Sequence, residues 1–230
     1  MALCGMIILV ASVFGTATGT EVSVENGSLS DGSVVEEDAE EIHDWHDLND
    51  VRNDLEGDYV LMEDLDEDTD GYDELVGTAE GWLPIDEFLG DFDGNEHEIR
   101  DLYIDRPEED DVGLFGDIDL FGKVTDLVLV DVDVNGSREV GALVGTNSGT
   151  VTNTSVTGTV TGENRIGGLG GWNLGMFSDS YSACEVSSEV SDVGGLVGMN
   201  DDMISNSYAT GSIDGQFSVG VLWDGTTLAQ

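Results

Sequence analysis

The segment Val140-Gly-Ala-Leu-Val-Gly-Thr-Asn147 decides the fold, because close copies of it recur along the chain. It returns as Ile166-Gly-Gly-Leu-Gly-Gly-Trp-Asn173 and as Val193-Gly-Gly-Leu-Val-Gly-Met-Asn200. A shorter copy precedes these three, Val112-Gly-Leu-Phe-Gly116, and a degenerate copy follows them, Val219-Gly-Val-Leu-Trp223. The starts of successive copies are 28, 26, 27 and 26 residues apart. Near-constant spacing of this kind is the signature of a repeat architecture.

The residues between the copies are typical of short strands. Eleven positions after three of the starts stand Val151, Phe177 and Ile204, and two positions further on each copy has an Asn or an Asp. The run Val151–Val160 is rich in Val, Thr and Ser, which favour strands. Glycine interrupts these runs every few residues, and no apolar period of 3.6 residues crosses this half of the chain.

A unit of this size cannot bury its own apolar face, but stacked copies can. Each strand would pair with the coils above and below at a spacing of ~4.8 Å. We therefore predict an all-β fold, a right-handed parallel β-helix (a solenoid), and expect Asn147, Asn173 and Asn200 to stack as a hydrogen-bonded ladder at one corner. The alternative is a β-propeller, whose blades normally need about 40 residues.

We expect the glycines and the final Asn of the copies to fix the repeat, since glycine stands where a chain turns or approaches another backbone. These structural repeat residues are Gly113, Gly141, Gly145, Asn147, Gly167, Gly168, Gly171, Asn173, Gly194, Gly195, Gly198 and Asn200.

The repeat resembles the GLUG motif. Its core, Gly-Gly-Leu-Val-Gly-x-Asn, and the following (Ile/Val)-x-Asn-(Ser/Thr)-(Tyr/Ser)-(Ala/Val)-Thr-Gly are similar to that motif. Upstream stretches such as Trp45-His-Asp-Leu48 and Gly81-Trp-Leu-Pro-Ile85 are similar to what precedes the repeats in haloarchaeal members, so the resemblance covers residues 42–224. It implies a repeat found in adhesin-like and haloarchaeal surface proteins and in IgA-specific metallopeptidases, outside their catalytic part. It implies no single activity.

The first 41 residues are predicted to lie outside the folded body. Residues 1–19 carry no charge and contain the apolar run Leu3–Phe14, which has the length of a signal-peptide core, although no basic residue precedes it. The alternative is a buried core helix. Residues 20–41 are acidic and lack an apolar period, which predicts a disordered spacer.

The folded body is predicted to have two parts. Residues 42–111 form an N-terminal cap and the first coils, with a short amphipathic helix between Asp44 and Leu55 that covers the first coil and stops before Gly57. Residues 112–230 form the repeat β-helix, with the last copy truncated.

The charge balance excludes several classes of partner. The chain has 50 Asp+Glu against 6 Lys+Arg, a formal net charge of −44, so unaided binding to nucleic acid or to an anionic membrane surface is not expected. We interpret the charge as an adaptation to concentrated salt, where the Debye length is ~3 Å at ~1 M. Residues 1–133 hold 40 acids and 4 bases, and residues 134–230 hold 10 acids and 2 bases, so the stacked half carries little of the charge.

Few residues are candidates for chemistry. Asp66-x-Asp68-x-Asp70-Gly71 matches the first half of a calcium-binding loop, but the twelfth position is Gly77 where such loops have Glu, and the alternative is a solvated acidic loop. No catalytic residues and no cofactor other than this calcium are predicted. Cys184 stands where neighbouring copies have glycine, and we interpret it as a small repeat residue.

These features predict a non-enzymatic structural or adhesion-like β-helix of a halophile. We expect an extracellular or cell-surface location, a monomer, and cell-surface glycans or surface-layer proteins as partners. The alternative is a carbohydrate-active enzyme of the polysaccharide lyase or hydrolase type, which would need converging carboxylates in a groove on one face of the coils.

Overall fold

The computed structural model describes residues 39–215 and 219–220. In chain order its strands are β1 (Glu40–Ile42), β2 (Tyr59–Leu61), β3 (Asp91–Asp93), β4 (Glu98–Arg100), β5 (Tyr103–Asp105), β6 (Phe115–Ile118), β7 (Lys123–Thr125), β8 (Val128–Asn135), β9 (Arg138–Val140), β10 (Val144–Asn147), β11 (Thr150–Thr152), β12 (Ser155–Gly167), β13 (Gly170–Asn173), β14 (Met176–Ser178), β15 (Tyr181–Gly194), β16 (Val197–Asn200), β17 (Met203–Ser205), β18 (Tyr208–Ala209), β19 (Ile213–Gly215) and β20 (Val219–Gly220). The helices are α1 (Trp45–Asp50), a 3-10 turn (Val51–Asn53) that continues it, and α2 (Tyr72–Leu75). The expected signal peptide, and the spacer up to residue 38, lie outside the described residues.

The strands form three parallel sheets that run along the stack. Sheet A has the order β1-β2-β3-β7-β11-β14-β17, and sheet C has the order β16-β13-β10-β6. Sheet B has the path β18-β15-β12-β8-β4, with β5, β9, β19 and β20 paired beside it. In the repeat half the chain visits sheets C, A and B in turn and then starts the next coil one level along. The fold is therefore a parallel β-solenoid, of about four turns, as the repeat predicts.

The copies recognised in the sequence lie directly beside one another. Val112 bridges to Val140, which pairs with Ile166; Ile166 pairs with Val193, and Val193 pairs with Val219. Each repeat of 26 to 28 residues is thus one coil, and no register slip accumulates between the five starts.

The interior of the solenoid is a column of apolar side chains. In sheet A, Phe92, Val124, Val151 and Phe177 face one another in register and are buried. Phe115 from sheet C contacts Phe92 edge-on, with ring centroids 5.6 Å apart. Because strand side chains alternate between the two faces, the residues on either side of this column point outward.

The corner between sheets A and B explains why the repeat has an Asn or an Asp thirteen positions after its start. Asn153, Asp179 and Asn206 stand there, and Asp126 takes the same corner fourteen positions after Val112; all four have left-handed backbones, with φ of 52, 51, 50 and 55°, respectively. Asn and Asp tolerate this conformation better than other residues that carry a side chain. The row alternates acid and amide: Asn153 donates a hydrogen bond to the Asp126 carboxylate, and Nδ2 of Asn206 donates to Oδ1 of Asp179 at 3.2 Å.

The last glycine of each copy, two residues before the Asn, lies against the backbone of the preceding coil. A Cβ atom at Gly145, Gly171 or Gly198 would collide with that backbone. The residues it would meet stand just before the preceding start: Asp111, Glu139 and Arg165, respectively. Glycine is therefore required at this position by contact between coils, and no turn explains it.

The predicted ladder of Asn side chains is present at the corner between sheets C and A. Nδ2 of Asn147 donates to Oδ1 of Asn173 at 2.9 Å, and Nδ2 of Asn173 donates to Oδ1 of Asn200 at 2.7 Å. Asn147 and Asn173 are fully buried. In the first coil the corresponding residue is Ile118, so the ladder begins at Asn147.

Acids in the strands avoid one another across coils. In the registered strand pairs of the described residues, every Asp or Glu faces a neutral residue or Lys123. Asp133, for example, lies between Tyr103 and Thr159, and Glu185 faces Thr159. Like charges at ~4.8 Å would repel, so the register itself limits where the acids can stand.

The N-terminal end differs from expectation in two details. β1 begins at Glu40, so the last residues of the expected spacer 20–41 belong to the edge strand of sheet A. The helix is also shorter than Asp44–Leu55, since α-helical geometry ends at Asp50. Asp44 caps it by accepting from the backbone N–H groups of His46 and Asp47, at 2.8 and 2.9 Å. The rest of the predicted cap and first coils, 42–111, contains β2 to β5 and α2.

Cys184 occupies the repeat slot predicted for it. It is buried in register with Gly158, and Gly211 of the next coil lies against its backbone. Burial raises the pKa of its thiol to about 11, which keeps it in the neutral form.

Candidate functional site

A row of outward-facing side chains crosses sheet C from β6 to β16. Asp117, Thr146, Trp172 and Met199 are in register on neighbouring strands. Each stands one residue before the position of the Asn ladder on its own strand, points to the opposite face of sheet C, and is partly exposed. Asp117 is the acid in this row.

A second row runs along the adjacent corner. Asp111, Glu139 and Arg165 each stand one residue before a repeat start and have left-handed backbones, with φ of 55, 50 and 58°. Between this corner and the sheet C row lies an open groove of ≈750 Å³. Its lining is mostly acidic: Asp86, Glu87, Asp110, Asp111, Asp117, Arg138, Glu139, Thr146 and Trp172. We call it the acidic groove.

Asp117 is the most perturbed carboxyl of the acidic groove. Burial, with a smaller contribution from the charges of Asp111, Asp119, Asp86 and Glu87, raises its pKa to about 6. Its Oδ1 atom is buried and has no hydrogen-bond partner among the described residues. A carboxyl in this environment holds its proton at a higher pH than a solvated one.

Asp86 borders the same groove from the loop before β3. Burial raises its pKa, the Asp111 charge raises it as well, and the Arg52 guanidinium opposes both effects. Arg52 itself is held over the Trp82 ring, 4.4 Å from the centroid, and donates to the Leu83 carbonyl. Arg52 therefore lowers the pKa of Asp86, and it is not among the groups that shift the pKa of Asp117.

The far wall of the groove contains an ion pair backed by an aromatic ring. Arg165 bonds to the Glu139 carboxylate and lies over the Trp172 ring, 4.5 Å from its centroid. Nε1 of Trp172 in turn donates to Asp201 at 2.9 Å. Burial raises the pKa of Glu139, against the lowering effect of Arg165. Thr146 Oγ1 donates to Asp111 at 2.6 Å.

This arrangement concentrates proton-holding carboxyls at one place on the solenoid. Asp86, Asp117 and Glu139 all have raised pKa values, and all three line the acidic groove. Asp110, which also lines the groove, is different, because a hydrogen bond from Arg138 lowers its pKa. Clusters of perturbed carboxyls in a concave site are typical of functional surfaces. Chemically, the groove can donate a proton or accept hydrogen bonds from hydroxyl groups.

The sequence did not reveal this groove. Its acids come from separate coils, and they meet only because Asp117 occupies the slot of Thr146 and Trp172. The signal that could have found it is the position between the last Gly and the Asn of each copy, which in the shortened first copy is an acid.

The proposed calcium residues are not gathered around a common point. Asp66 Oδ1 accepts from the Asp68 backbone N–H at 3.0 Å and from the Thr69 hydroxyl at 2.9 Å, so this carboxylate caps its own turn. Gly71 after Asp70 has a left-handed φ of 88°, as the motif requires. Within the described residues no group of three or more His, Cys, Asp or Glu side chains is placed to hold a metal ion. Calcium binding by Asp66, Asp68 and Asp70 stays a prediction.

The histidines contact acids. His97 Nδ1 lies 3.0 Å from Asp64, and this contact helps to lower the pKa of Asp64, after the larger effect of the Glu98 backbone N–H. His46 lies 3.7 Å from Glu74 across α1 and α2.

Coil geometry and motif together define a class: a β-solenoid built from a glycine-rich repeat. Residues 190–214 match the family model described as the GLUG motif, which confirms the resemblance. Over 82 residues, 36% of the chain, the sequence is 48% identical to halomucin of Haloquadratum walsbyi and covers 1% of that protein. Over 116 residues, 47% of the chain, it is 36% identical to a provisionally named Gly-rich membrane protein of Evansella cellulosilytica and covers 13% of it. The chain thus spans a small fraction of both relatives.

A solved structure shares the fold. It is a protein of Bacteroides ovatus provisionally assigned as an immunoglobulin A1 protease, with a TM-score of 0.55 over 77% of this chain and 67% of that one. At 19% identity this likeness shows the architecture alone. No helix in the described part of the chain is long and apolar enough to cross a membrane.

Proposed function

We propose that the chain is a non-enzymatic structural or adhesion-like β-solenoid, secreted or displayed at the cell surface of a halophile. Support comes from the relatives, one named a halomucin and one a membrane protein. The net charge of −44 fits a protein that works in concentrated salt, and it argues against nucleic acid and anionic membranes as partners.

The observation that carries this proposal is the regular polar surface of the coils. Thr125, Thr152, Ser178 and Ser205 lie in register along the outer face of sheet A. The hydroxyls of Thr152 and Ser178 are 3.0 Å apart, so one donates to the other. Such a surface repeats once per coil, at ~4.8 Å, and offers hydrogen bonds to cell-surface glycans or surface-layer proteins without strong charge.

Location and assembly are tested together. Antibody raised against the folded chain should label intact cells, and added protease should remove that label while a cytoplasmic marker survives. The purified protein should sediment as a monomer in ~2 M KCl, where charge repulsion is screened. Labelling only after the cells are lysed would refute the surface location.

The acidic groove favours one second candidate, a carbohydrate-active enzyme. Asp117, with its pKa raised to about 6, could serve as the proton donor, and Asp111 or Asp86 as the second carboxylate. The groove of ≈750 Å³ falls within the range of small-ligand sites.

Turnover decides between the two functions. The wild-type chain and Asp117→Asn are incubated at pH 5 to 7 in ~2 M KCl with a panel of polysaccharides, and new reducing ends or unsaturated sugars are measured. The non-enzymatic proposal expects no turnover by either protein. Turnover by the wild type that Asp117→Asn abolishes would establish the enzyme instead.

A further inference from the structure

Two tyrosines form a stacked pair on the outer surface of sheet B. Tyr181 and Tyr208 are in register on neighbouring coils, with ring centroids 5.3 Å apart and planes 8° apart. They remain 37% and 42% exposed. The next two residues in the same row, towards the N-terminus, are Ser155 and Val128, so the stack of rings stops at Tyr181.

The missing ring leaves a pocket. Tyr208 covers one face of the Tyr181 ring, and the other face is turned towards the coil of Ser155, where a cavity of ≈250 Å³ lies. The residues that line this pocket, which we call the tyrosine pocket, are Glu96, Asp126, Val128, Asn153, Thr154, Ser155, Asp179 and Tyr181. They come from four successive coils, so the pocket extends about 14 Å along the stack.

Its walls have different chemistry. One end is the face of an aromatic ring, whose negative quadrupole attracts C–H groups. Along one side runs the corner row, where Asp126 and Asp179 each already accept one hydrogen bond from an Asn amide. A carboxylate has about four acceptor positions, so both can accept more, and they can do so from hydroxyl groups.

Charge narrows the choice of ligand. The lining contains no Lys or Arg, which excludes an anionic ligand. A cation would bind this pocket hardly better than other acidic parts of the surface, and its attraction would be screened, because the Debye length at ~1 M salt is ~3 Å. A ligand with apolar C–H faces and several hydroxyl donors fits both walls, and this is the chemistry of an uncharged sugar ring.

We propose that the tyrosine pocket binds a sugar unit of an uncharged oligosaccharide, with one face of the sugar on the Tyr181 ring and its hydroxyls donating to Asp126 and Asp179. This inference deepens the proposed surface function and rests on it. Ser155, Tyr181 and Tyr208 occupy the same repeat position in successive coils. A small residue at this position, next to a coil that has tyrosine there, would then create a binding site of this kind.

The register supplies a variant designed to fill the pocket while keeping the coil geometry. Ser155→Tyr places a third ring in a slot that already accepts tyrosine in two neighbouring coils. Tyr181→Ala removes the platform, and Tyr181→Phe keeps it. Met203→Ala is the matched control, since Met203 is an apolar side chain 55% exposed on sheet A.

Binding is measured by saturation-transfer NMR in ~2 M KCl, with uncharged gluco-, manno-, galacto- and N-acetylhexosamine oligosaccharides as probes. We expect saturable binding of at least one probe, weakened about tenfold or more by Ser155→Tyr and Tyr181→Ala and unchanged within twofold in Tyr181→Phe and Met203→Ala. Circular dichroism confirms that each variant is folded.

Three outcomes would overturn the inference: no probe binds, binding survives Ser155→Tyr in a folded variant, or oligolysine binds the pocket in place of the sugars and is released by added salt. None of these bears on where the protein is located, which is measured on intact cells. Failure of the pocket and failure of the surface proposal are therefore distinguishable.

Discussion

Asn173→Ala removes the middle side chain of the buried Asn ladder. Asn173 Oδ1 accepts from Asn147 Nδ2 at 2.9 Å and from the Gly175 backbone N–H at 3.3 Å, and its Nδ2 donates to Asn200 Oδ1 at 2.7 Å. Alanine would remove all three bonds in a site where Asn173 itself has no exposure, although Asn147 Nδ2 keeps its second bond, to the Met176 carbonyl. At about 1 kcal/mol for each unmade hydrogen bond, the free energy of unfolding should fall by about 3 kcal/mol.

The measurement is urea unfolding in ~2 M KCl, followed by circular dichroism and compared with Asn53→Ala. Asn53 is an exposed amide with a single side-chain hydrogen bond, to Asp50, and its backbone is not left-handed, so its loss should cost below about 1 kcal/mol. Since solenoids can unfold coil by coil, hydrogen exchange should also show the largest loss of protection around residues 173–205. Equal destabilisation by the two variants, or exchange changes confined to the cap, would refute the role given to the ladder.

The other predictions concern coil contacts, pH, salt and calcium. Gly171→Ala, whose Cβ would enter the Glu139 backbone, should prevent cooperative thermal unfolding, whereas Gly77→Ala, whose nearest neighbour is Asp73 Cα at 3.1 Å, should be tolerated. The pKa of Asp117 is about 6 in the fold against 3.8 for the free group, so the folded state binds the proton more tightly, and the stability that this proton contributes is lost as pH rises from about 4 to about 6. Asp117→Asn should not show this loss of stability, whereas Asp133→Asn, at an exposed acid on sheet B, should still show it. Identical pH profiles of stability for the two variants would contradict the assignment. Dilution below ~0.5 M salt should raise hydrogen exchange in residues 42–111 before it does so in the coils 140–213, and the reverse order would contradict the charge distribution described above. If calcium binds at the Asp66 loop, calorimetric titration with Ca²⁺ in high salt should release or absorb heat, and the double variant Asp68→Asn with Asp70→Asn should abolish that heat. A wild-type titration without heat would refute calcium binding there.

The architecture could be predicted because each coil of the repeat half corresponds to one copy of the sequence repeat. Positions that matched in sequence, such as Val151 with Phe177 or Ser155 with Tyr181, are register partners in the structure. The ladder of Asn side chains followed from the same alignment, since a residue repeated once per coil must meet its own copies.

The acidic groove could not be predicted in the same way. Asp86 lies well before the repeats, Asp111 stands just before the first copy, and Asp117 belongs to that first copy, which is one residue shorter than the others. Their meeting depends on how that shortened copy aligns with Val140–Asn147, which only the register reveals. The raised pKa values likewise depend on burial and on neighbouring charges, and the sequence does not show which of the 50 acids are buried.

The calcium loop is a different case, because its first carboxylate has a local role in the structure while calcium binding stays a prediction. Asp66 accepts hydrogen bonds from its own turn, as Asp commonly does at such positions. The boundary at residue 41 shifted for a simpler reason: Glu40 and Glu41 pair with Tyr59 and Val60 at the edge of sheet A, and an edge strand tolerates exposed acids.

The alternation of acid and amide along the corner row has a consequence for how arrays of this kind can lengthen. Asp126, Asn153, Asp179 and Asn206 form a pattern with a period of two coils. Duplicating two adjacent coils preserves that pattern, whereas duplicating the coil of Asp179 alone would set two carboxylates side by side at ~4.8 Å. Gene duplication in such an acidic solenoid should therefore favour even numbers of coils, or be followed by an Asp-to-Asn change at the new junction.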